Sequence, residues 1–383
     1  MKQRLYYLDT VRIFAIGVVF LFHCCRFFDG EDWHVKSAHT SEAMSIIVAL
    51  LTRWMMPLFF FISGASTWFA IQKKSAGTFL VDRTRRIFLP LLVGIFFLSP
   101  LQVYLERLTH HQFQGSFSDF LPHFFQGWYA FGGNFAWMGL HCWYLLMLFV
   151  FSLLFLPLFY SYKRIATNPT WSPLIGISIL FVILVTVTLL FPYTTLIGMR
   201  AWGGWGLLEH LMVFLAGFFI YSIKGFTDWL SRYKLWFLIP ALLLTGFFFV
   251  LLVEDGSLTP FPRALLRDGI CITTVLSILG YAAGYNKKPN KVKTYANEAV
   301  LPFYVLHQAV IVPVGYLVLK LQWGIAASYV LIALGSLLVI ALLYEGLIRR
   351  FNPLRVVFGM GPAAPQTSAP ATNPVSVPSG KIA

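Results

Sequence analysis

Charge is what this sequence has least of. Asp, Glu, Lys and Arg make up 11% of its 383 residues, where a soluble domain carries about 25%. So few charged side chains cannot cover a water-facing surface, which excludes an ordinary soluble protein. Acidic residues are the scarcer sign, 15 against 29 basic, for a net charge of +14. The basic residues lie in short segments between apolar runs, and no recognition helix or strand-patterned region accompanies them, so no nucleic-acid partner is expected. Cysteine is nearly absent. Cys24, Cys25, Cys142 and Cys271 fall inside or at the end of apolar runs, without CxxC spacing. They are expected as packed side chains rather than disulfides or zinc ligands. No HExxH or other metal spacing occurs, so no metal is expected. The first apolar run is rich in Phe and lacks a small-residue cleavage site, so removal as a signal peptide is not expected. No internal repeat or soluble domain is visible.

Apolar and aromatic side chains are what the chain has. Hydrophobic residues make up 58%, including 38 Phe, 17 Tyr and 12 Trp. A membrane helix needs roughly 20 mostly apolar residues. Such runs lie near 8–28, 54–72, 87–105, 140–160, 173–192, 207–223, 236–253, 267–285, 299–320 and 326–348, with a short separate helix over 42–53. The predicted fold is all-α, a polytopic membrane bundle of about ten transmembrane helices. With the N-terminus inside, 20 of the 29 Lys and Arg fall on the inner side. That bias is expected to put both termini in the cytoplasm. The inner basic residues include Lys2, Arg4, Lys287, Lys288 and Lys381. The long outer segments 29–53 and 106–139 carry Trp33, His34, His39, His110, His111, His123, Trp128, Tyr129 and Trp137. These suit a carbohydrate-like surface or an interfacial aromatic belt. Residues 1–358 form the membrane domain. Residues 359–383, rich in Pro, Ala, Ser and Thr, are expected to be a disordered cytoplasmic tail.

Ionisable residues inside the apolar runs carry the chemistry. The first span reads LDTVRIFAIGVVFLFHCCRFF. Arg12 and His23 are eleven residues apart, which on a helix returns to the same face about 16 Å further along. Such groups are costly in a bilayer and face a polar cavity or a partner. Each has a bland reading: Arg12 can snorkel to lipid phosphate, and a neutral His23 can bond a neighbouring helix. Their shared face points instead to a polar groove. Asp9 precedes Arg12 by three residues and can hold its guanidinium. In DRTRRIFLP, Arg83, Arg85 and Arg86 cluster where the third span begins. Positive-inside anchoring explains many such loops, and a polyanionic cytosolic cofactor is the functional alternative. His141 and Trp143 open the fourth span in HCWYLLML, and Glu209 and His210 open the sixth. These four are the candidate acceptor-side groups. His307, mid-span in LPFYVLHQAVIV, is expected to tether one helix to another.

Taken together, these segments resemble the membrane acyltransferase family 3. That family has an Arg, ten residues and a His in its first span, matched by Arg12 and His23. It has an FFxISG segment, matched by Phe60, Phe61, Ile62, Ser63 and Gly64, and an Arg-rich entry to the third span, matched by DRTRRIFLP. A late YxLH element looks like Tyr304-Val305-Leu306-His307. The resemblance covers residues 5–350. WHVKSA and HCWYLLML resemble the branch of periplasmic glucan succinyltransferases, with Cys142 and Tyr144 where that branch has Leu and Phe. What the resemblance implies is O-acyl transfer, an acyltransferase moving groups other than aminoacyl groups. The donor is cytosolic acyl-CoA (acetyl-CoA or succinyl-CoA), and the acceptor is a hydroxyl of an extracytoplasmic carbohydrate. His23 would act as general base or transient acyl carrier, Arg12 would orient the donor or stabilise an oxyanion, and Arg83, Arg85 and Arg86 would bind the CoA phosphates. Two other classes remain open: a multi-pass transporter of a small or acyl-linked solute, and an assembly subunit for glycan synthesis.

Overall fold

A computed structural model describes residues 6–126, 136–166, 169–191, 202–254, 256–285 and 290–362. Lys2, Arg4, Trp128, Tyr129, Lys287, Lys288, Lys381 and the tail from 363 onward lie outside the described residues. The described chain is helical apart from turns and one isolated bridge between Trp202 and Trp205. In chain order the helices are α1 (Tyr6–Cys25), α2 (Glu42–Thr52), α3 (Met55–Lys73), α4 (Ala76–Arg83), α5 (Leu89–Val93), α6 (Ser99–Thr109), α7 (Phe117–Phe124), α8 (Trp143–Leu154) and α9 (Leu156–Ile165). They continue as α10 (Pro173–Leu190), α11 (Leu207–Ser222), α12 (Phe226–Arg232), α13 (Lys234–Val253), α14 (Pro260–Tyr285), α15 (Lys291–Leu319), α16 (Ile325–Leu343) and α17 (Asn352–Val357).

Among the described residues, 8 helical segments are long and apolar enough to cross a membrane, or up to 10 when two bent pairs are counted as spans. Helices suit that setting because each satisfies its own backbone polar groups where no water can. The spans sort into inner and outer ones. α1, α14 and α15 bury half or more of their side chains in the bundle, whereas α10 and α13 stay mostly unburied and present Leu and Ile outward. Those outward faces are apolar because their neighbour is lipid.

Breaks in the spans have local causes. The third span runs from Ala76 to Thr109 with two widened π turns, Thr84–Phe88 and Gly94–Leu98. Each lies just ahead of a proline, Pro90 or Pro100, whose ring crowds the carbonyl four residues back and which has no amide to give it. The fourth span bends by 54° between α8 and α9, where Pro157 occupies the first turn of α9. α11 and α12 meet at 101° through Gly225, whose φ of +79° favours a residue without a Cβ.

The closest helix contact joins α3 to α11. A Cβ on Gly64 would stand 1.9 Å from the Phe214 carbonyl oxygen, and one on Gly217 would stand 2.1 Å from that of Phe61. Two glycines thus let the backbones touch, the small-residue packing that membrane helices use in place of a hydrophobic drive. At the chain's far end, Gly361 accepts a bond from Arg355 Nε at 2.9 Å, so the first residues beyond Phe358 fold back on α17.

Candidate functional site

α1 carries Asp9, Arg12 and His23 along one uninterrupted helix, so Arg12 and His23 share a face. Arg12 Nη1 donates to Asp9 Oδ1 at 3.0 Å, and Nη2 donates to Ser66 Oγ on α3. Ser63, Ser66 and Thr67 form a polar edge on α3, at the i, i+3 and i+4 spacing of one helix face. Arg83 Nη2 donates to Thr67 Oγ1 at 2.7 Å, and Ser63 Oγ lies 2.5 Å from the Tyr144 hydroxyl. Arg12 and Arg83 both lie within electrostatic reach of that hydroxyl. A polar stripe therefore runs from the basic end of the bundle, where Arg83 enters, toward its middle.

The three arginines expected as one phosphate cluster are divided. Arg83 turns inward, whereas Arg85 and Arg86 are exposed at the bundle end. Arg86 and Lys74 both pair with Asp82, at 3.1 and 2.7 Å. Arg85 and Arg86 both sit within the π turn over Thr84–Phe88, and Arg85, two residues on, projects from a different side of the helix than Arg83, since i and i+2 do not face each other.

At the far end of α1, His23 meets two other imidazoles. Its ring centroid is 4.9 Å from that of His307, and His307 is 5.0 Å from His141. Each ring gives one N–H to a backbone carbonyl. His23 Nδ1 donates to Val19 at 2.8 Å, His307 Nδ1 to Tyr304 at 2.5 Å and His141 Nε2 to Val305 at 2.9 Å. These bonds fix neutral tautomers. The second nitrogens, His307 Nε2 and His141 Nδ1, are buried without a partner. Three lone-pair nitrogens therefore gather where α1, α15 and the turn 140–142 ahead of α8 converge. The expectation that His307 tethers one helix to another is corrected: it bonds its own helix, three residues back, and packs on His23 and His141.

His23 and His141 line a cavity of about 770 Å³, together with Trp33, His34, Glu106 and Gln308. Trp143 also lines it. The cavity opens among the loop after α1, the end of α6 and residues 202–204, and its lining includes Arg107 of α6 but none of Arg83, Arg85 and Arg86. The loop after α1 is pinned. Arg26 binds the carboxylates of Asp29 and Glu31, and Lys36 Nζ holds Asp29 Oδ1 at 2.6 Å. Tyr144, Tyr304 and Ser63 are not in the cavity wall. Tyr144 and Tyr304 pack edge to face at 5.8 Å, and Tyr304 in turn lies 5.6 Å from His307. An aromatic plug thus separates the cavity from the polar stripe. Among the described residues, no group of His, Cys, Asp and Glu is arranged to hold a metal ion.

Glu209 and His210 lie behind this wall. His210 Nε2 donates to the Trp202 carbonyl at 2.9 Å, and its ring lies between Phe60 and Trp143. Glu209 caps α11 through the Gly206 amide at 2.7 Å and accepts from Arg267 Nη2 at 2.5 Å, while Arg267 also pairs with Asp268 at 2.8 Å. Arg267, Glu209 and Asp268 are all buried. Removing one partner of a buried ion pair strands the other, at a cost of about 3–5 kcal/mol. Arg267→Ala leaves the buried Glu209 and Asp268 carboxylates without its charge and should therefore lower the thermal unfolding midpoint of the detergent-solubilised protein by several degrees. An unchanged midpoint would show that the cluster contributes nothing to folding.

Sequence reasoning missed His34, Glu106 and Gln308 as a group. His34 Nδ1 donates to Glu106 Oε2, and Gln308 Nε2 lies 2.9 Å from His34 Nε2. Positions 34, 106 and 308 share no local pattern. The available signal was weak: Glu106 closes an apolar run in LERL, and Gln308 follows His307.

The family model described as an acyltransferase domain matches residues 5–345. The chain is 27% identical over 181 residues to glucans biosynthesis protein C of Escherichia coli strain SMS-3-5 and of strain K12. That match covers 43% of this chain and 41% of each relative, so it spans about two fifths of their length. No solved structure matches the chain. With its first-span Arg and His, its ISG segment and its late His all inside the matched range, the chain belongs to the membrane acyltransferase family 3.

Proposed function

We propose that this protein transfers an acyl group, acetyl, succinyl or similar, from cytosolic acyl-CoA to a hydroxyl of an extracytoplasmic carbohydrate across an inner membrane. One observation carries the reading. His23 stands where the cavity at one end of the bundle meets the plug that closes the polar stripe from the other. Its Nδ1–H is committed to Val19, which leaves the Nε2 lone pair for chemistry.

The rest of the geometry fits two reagents arriving from opposite ends. Exposed Arg85 and Arg86 suit the phosphates of a CoA donor, since guanidinium groups bind phosphate through paired hydrogen bonds. Arg83, Thr67, Ser66 and Arg12 then offer a polar path for its pantetheine arm. Arg12 is the group to orient the donor. At the far end the cavity presents Trp33, Trp143 and His34, aromatic and polar side chains of the kind that bind sugars. His23 Nε2 either takes the acceptor's proton or carries the acyl group. The relatives named for glucan biosynthesis support a glucan as the acceptor.

The test uses purified protein in proteoliposomes with radiolabelled acetyl-CoA or succinyl-CoA and a glucose oligosaccharide. The expected result is label on the sugar. Arg85→Ala should raise KM for the donor about tenfold, the effect of losing one charge-assisted bond of about 1.5 kcal/mol, with KM for the sugar unchanged. An unchanged donor KM would remove the phosphate role, and no transfer from any acyl-CoA would remove the reading itself.

A further inference from the structure

His34 is held as catalytic bases are held, and the acyl-transfer reading gives it no more than a place in the wall that meets the sugar. Its Nδ1–H donates to the Glu106 carboxylate. That bond sets the tautomer and leaves Nε2 as the lone-pair nitrogen. Nε2 is met by Gln308 Nε2 at 2.9 Å, so a neutral amide donor occupies the place of a hydroxyl. Both side chains of the pair are only 13% exposed. The Thr109 hydroxyl donates to the His34 carbonyl at 3.2 Å, which fixes the backbone as well. Imidazole, carboxylate and amide all line the cavity that contains His23. Trp33 lies between the two imidazoles, 6.1 Å from His23 and 5.3 Å from His34 by ring centroid. α15 ties them together a second way, since His307 packs on His23 and the next residue, Gln308, bonds His34.

Resting on the acyl-transfer reading, we propose that His34, oriented by Glu106, is the general base that deprotonates the acceptor hydroxyl, while His23 serves the donor side of the same cavity. The sugar O–H displaces the Gln308 amide from His34 Nε2. The hydroxyl oxygen attacks the acyl carbon, which His23 Nε2 has taken from the thioester with departure of the CoA thiolate. The new C–O bond forms as the C–N bond to His23 breaks, and that electron pair returns to Nε2. The hydroxyl proton passes to His34 Nε2, giving an imidazolium beside the Glu106 carboxylate, and leaves through the open end of the cavity. A carboxylate that holds an imidazole and stabilises its charged form is the arrangement that general bases in acyl transfer use.

Two nucleophiles separate this role from a structural one. Laminaritetraose must lose a proton to react, whereas hydroxylamine attacks as its free base. His34→Gln should lower transfer from acetyl-CoA or succinyl-CoA to laminaritetraose by about 10²–10⁴-fold, the usual size of general-base catalysis. Transfer to hydroxylamine should fall far less, and KM for the donor should hold. Glu106→Gln should show the same selective loss, and it provides a second variant if His34→Gln does not fold. Transfer to the sugar at the parent rate would overturn the proposal, as would equal losses with both nucleophiles from a folded variant. Parent protein that acylates neither nucleophile would overturn the acyl-transfer reading, and this proposal with it.

Discussion

His23→Ala should abolish nearly all acyl transfer while leaving the protein folded in the membrane. The expected loss is about 10²–10⁴-fold in turnover, the range for removing a positioned base or nucleophile. His23 makes one side-chain hydrogen bond, to Val19 of its own helix, so its removal opens no ion pair between helices. The thermal midpoint should move by only a degree or two, and donor KM should stay within a few-fold because the arginines of the third span are untouched. Rate and stability therefore separate cleanly. A His23→Ala protein that acylates at the parent rate would refute the site, whatever its stability. Arg12→Ala should behave differently, since Arg12 bridges α1 to Ser66 on α3 as well as pairing with Asp9. It should lose both activity and stability.

The largest stability effect should come from a residue without a side chain. Gly64→Ala would place a methyl group 1.9 Å from the Phe214 carbonyl oxygen. That oxygen belongs to the backbone of α11 and cannot swing aside as a flexible side chain would. Inserting one methyl into a packed core costs about 1–3 kcal/mol even when neighbours adjust, and here whole helices must separate, so the cost should reach or exceed that range. Gly217→Ala should do the same through Phe61. Because both changes strain one contact, the double variant should cost less than the sum of the two. Thermal midpoints of the four proteins in detergent decide it. Strict additivity would mean that the two glycines do not share one seam.

These two predictions differ in how far the sequence foretold them. The first span announced its chemistry locally: eleven residues on one helix fix the relative angle of Arg12 and His23, whatever surrounds them. Most spans were equally legible, since apolar length is itself the bilayer's requirement. Gly64 was visible only as part of a resemblance, and its task depends on Gly217, on a different span. In DRTRRIFLP, Arg83 turns inward to Thr67 on α3, a partner that residue spacing does not announce. His307 was read as a tether because no charge lies near it in sequence. Its partners come from positions 23 and 141, and only the fold of α15 against α1 and the turn 140–142 brings them together. His34 and Glu106 are further apart still, and their bond depends on how the loop after α1 settles on α6.

The plug of Tyr144, Tyr304 and His307 has a bioenergetic consequence. A catalyst that takes one reagent from each side of an energised bilayer must avoid becoming a proton leak, because each elementary charge crossing 100 mV dissipates about 2.3 kcal/mol. With aromatic rings packed between the cavity and the polar stripe, an acyl fragment of a few atoms is all that the proposed transfer would carry past them. Under the proposed transfer, the nucleotide and the carbohydrate would each stay on the side where they began, and the cell would keep its electrochemical gradient.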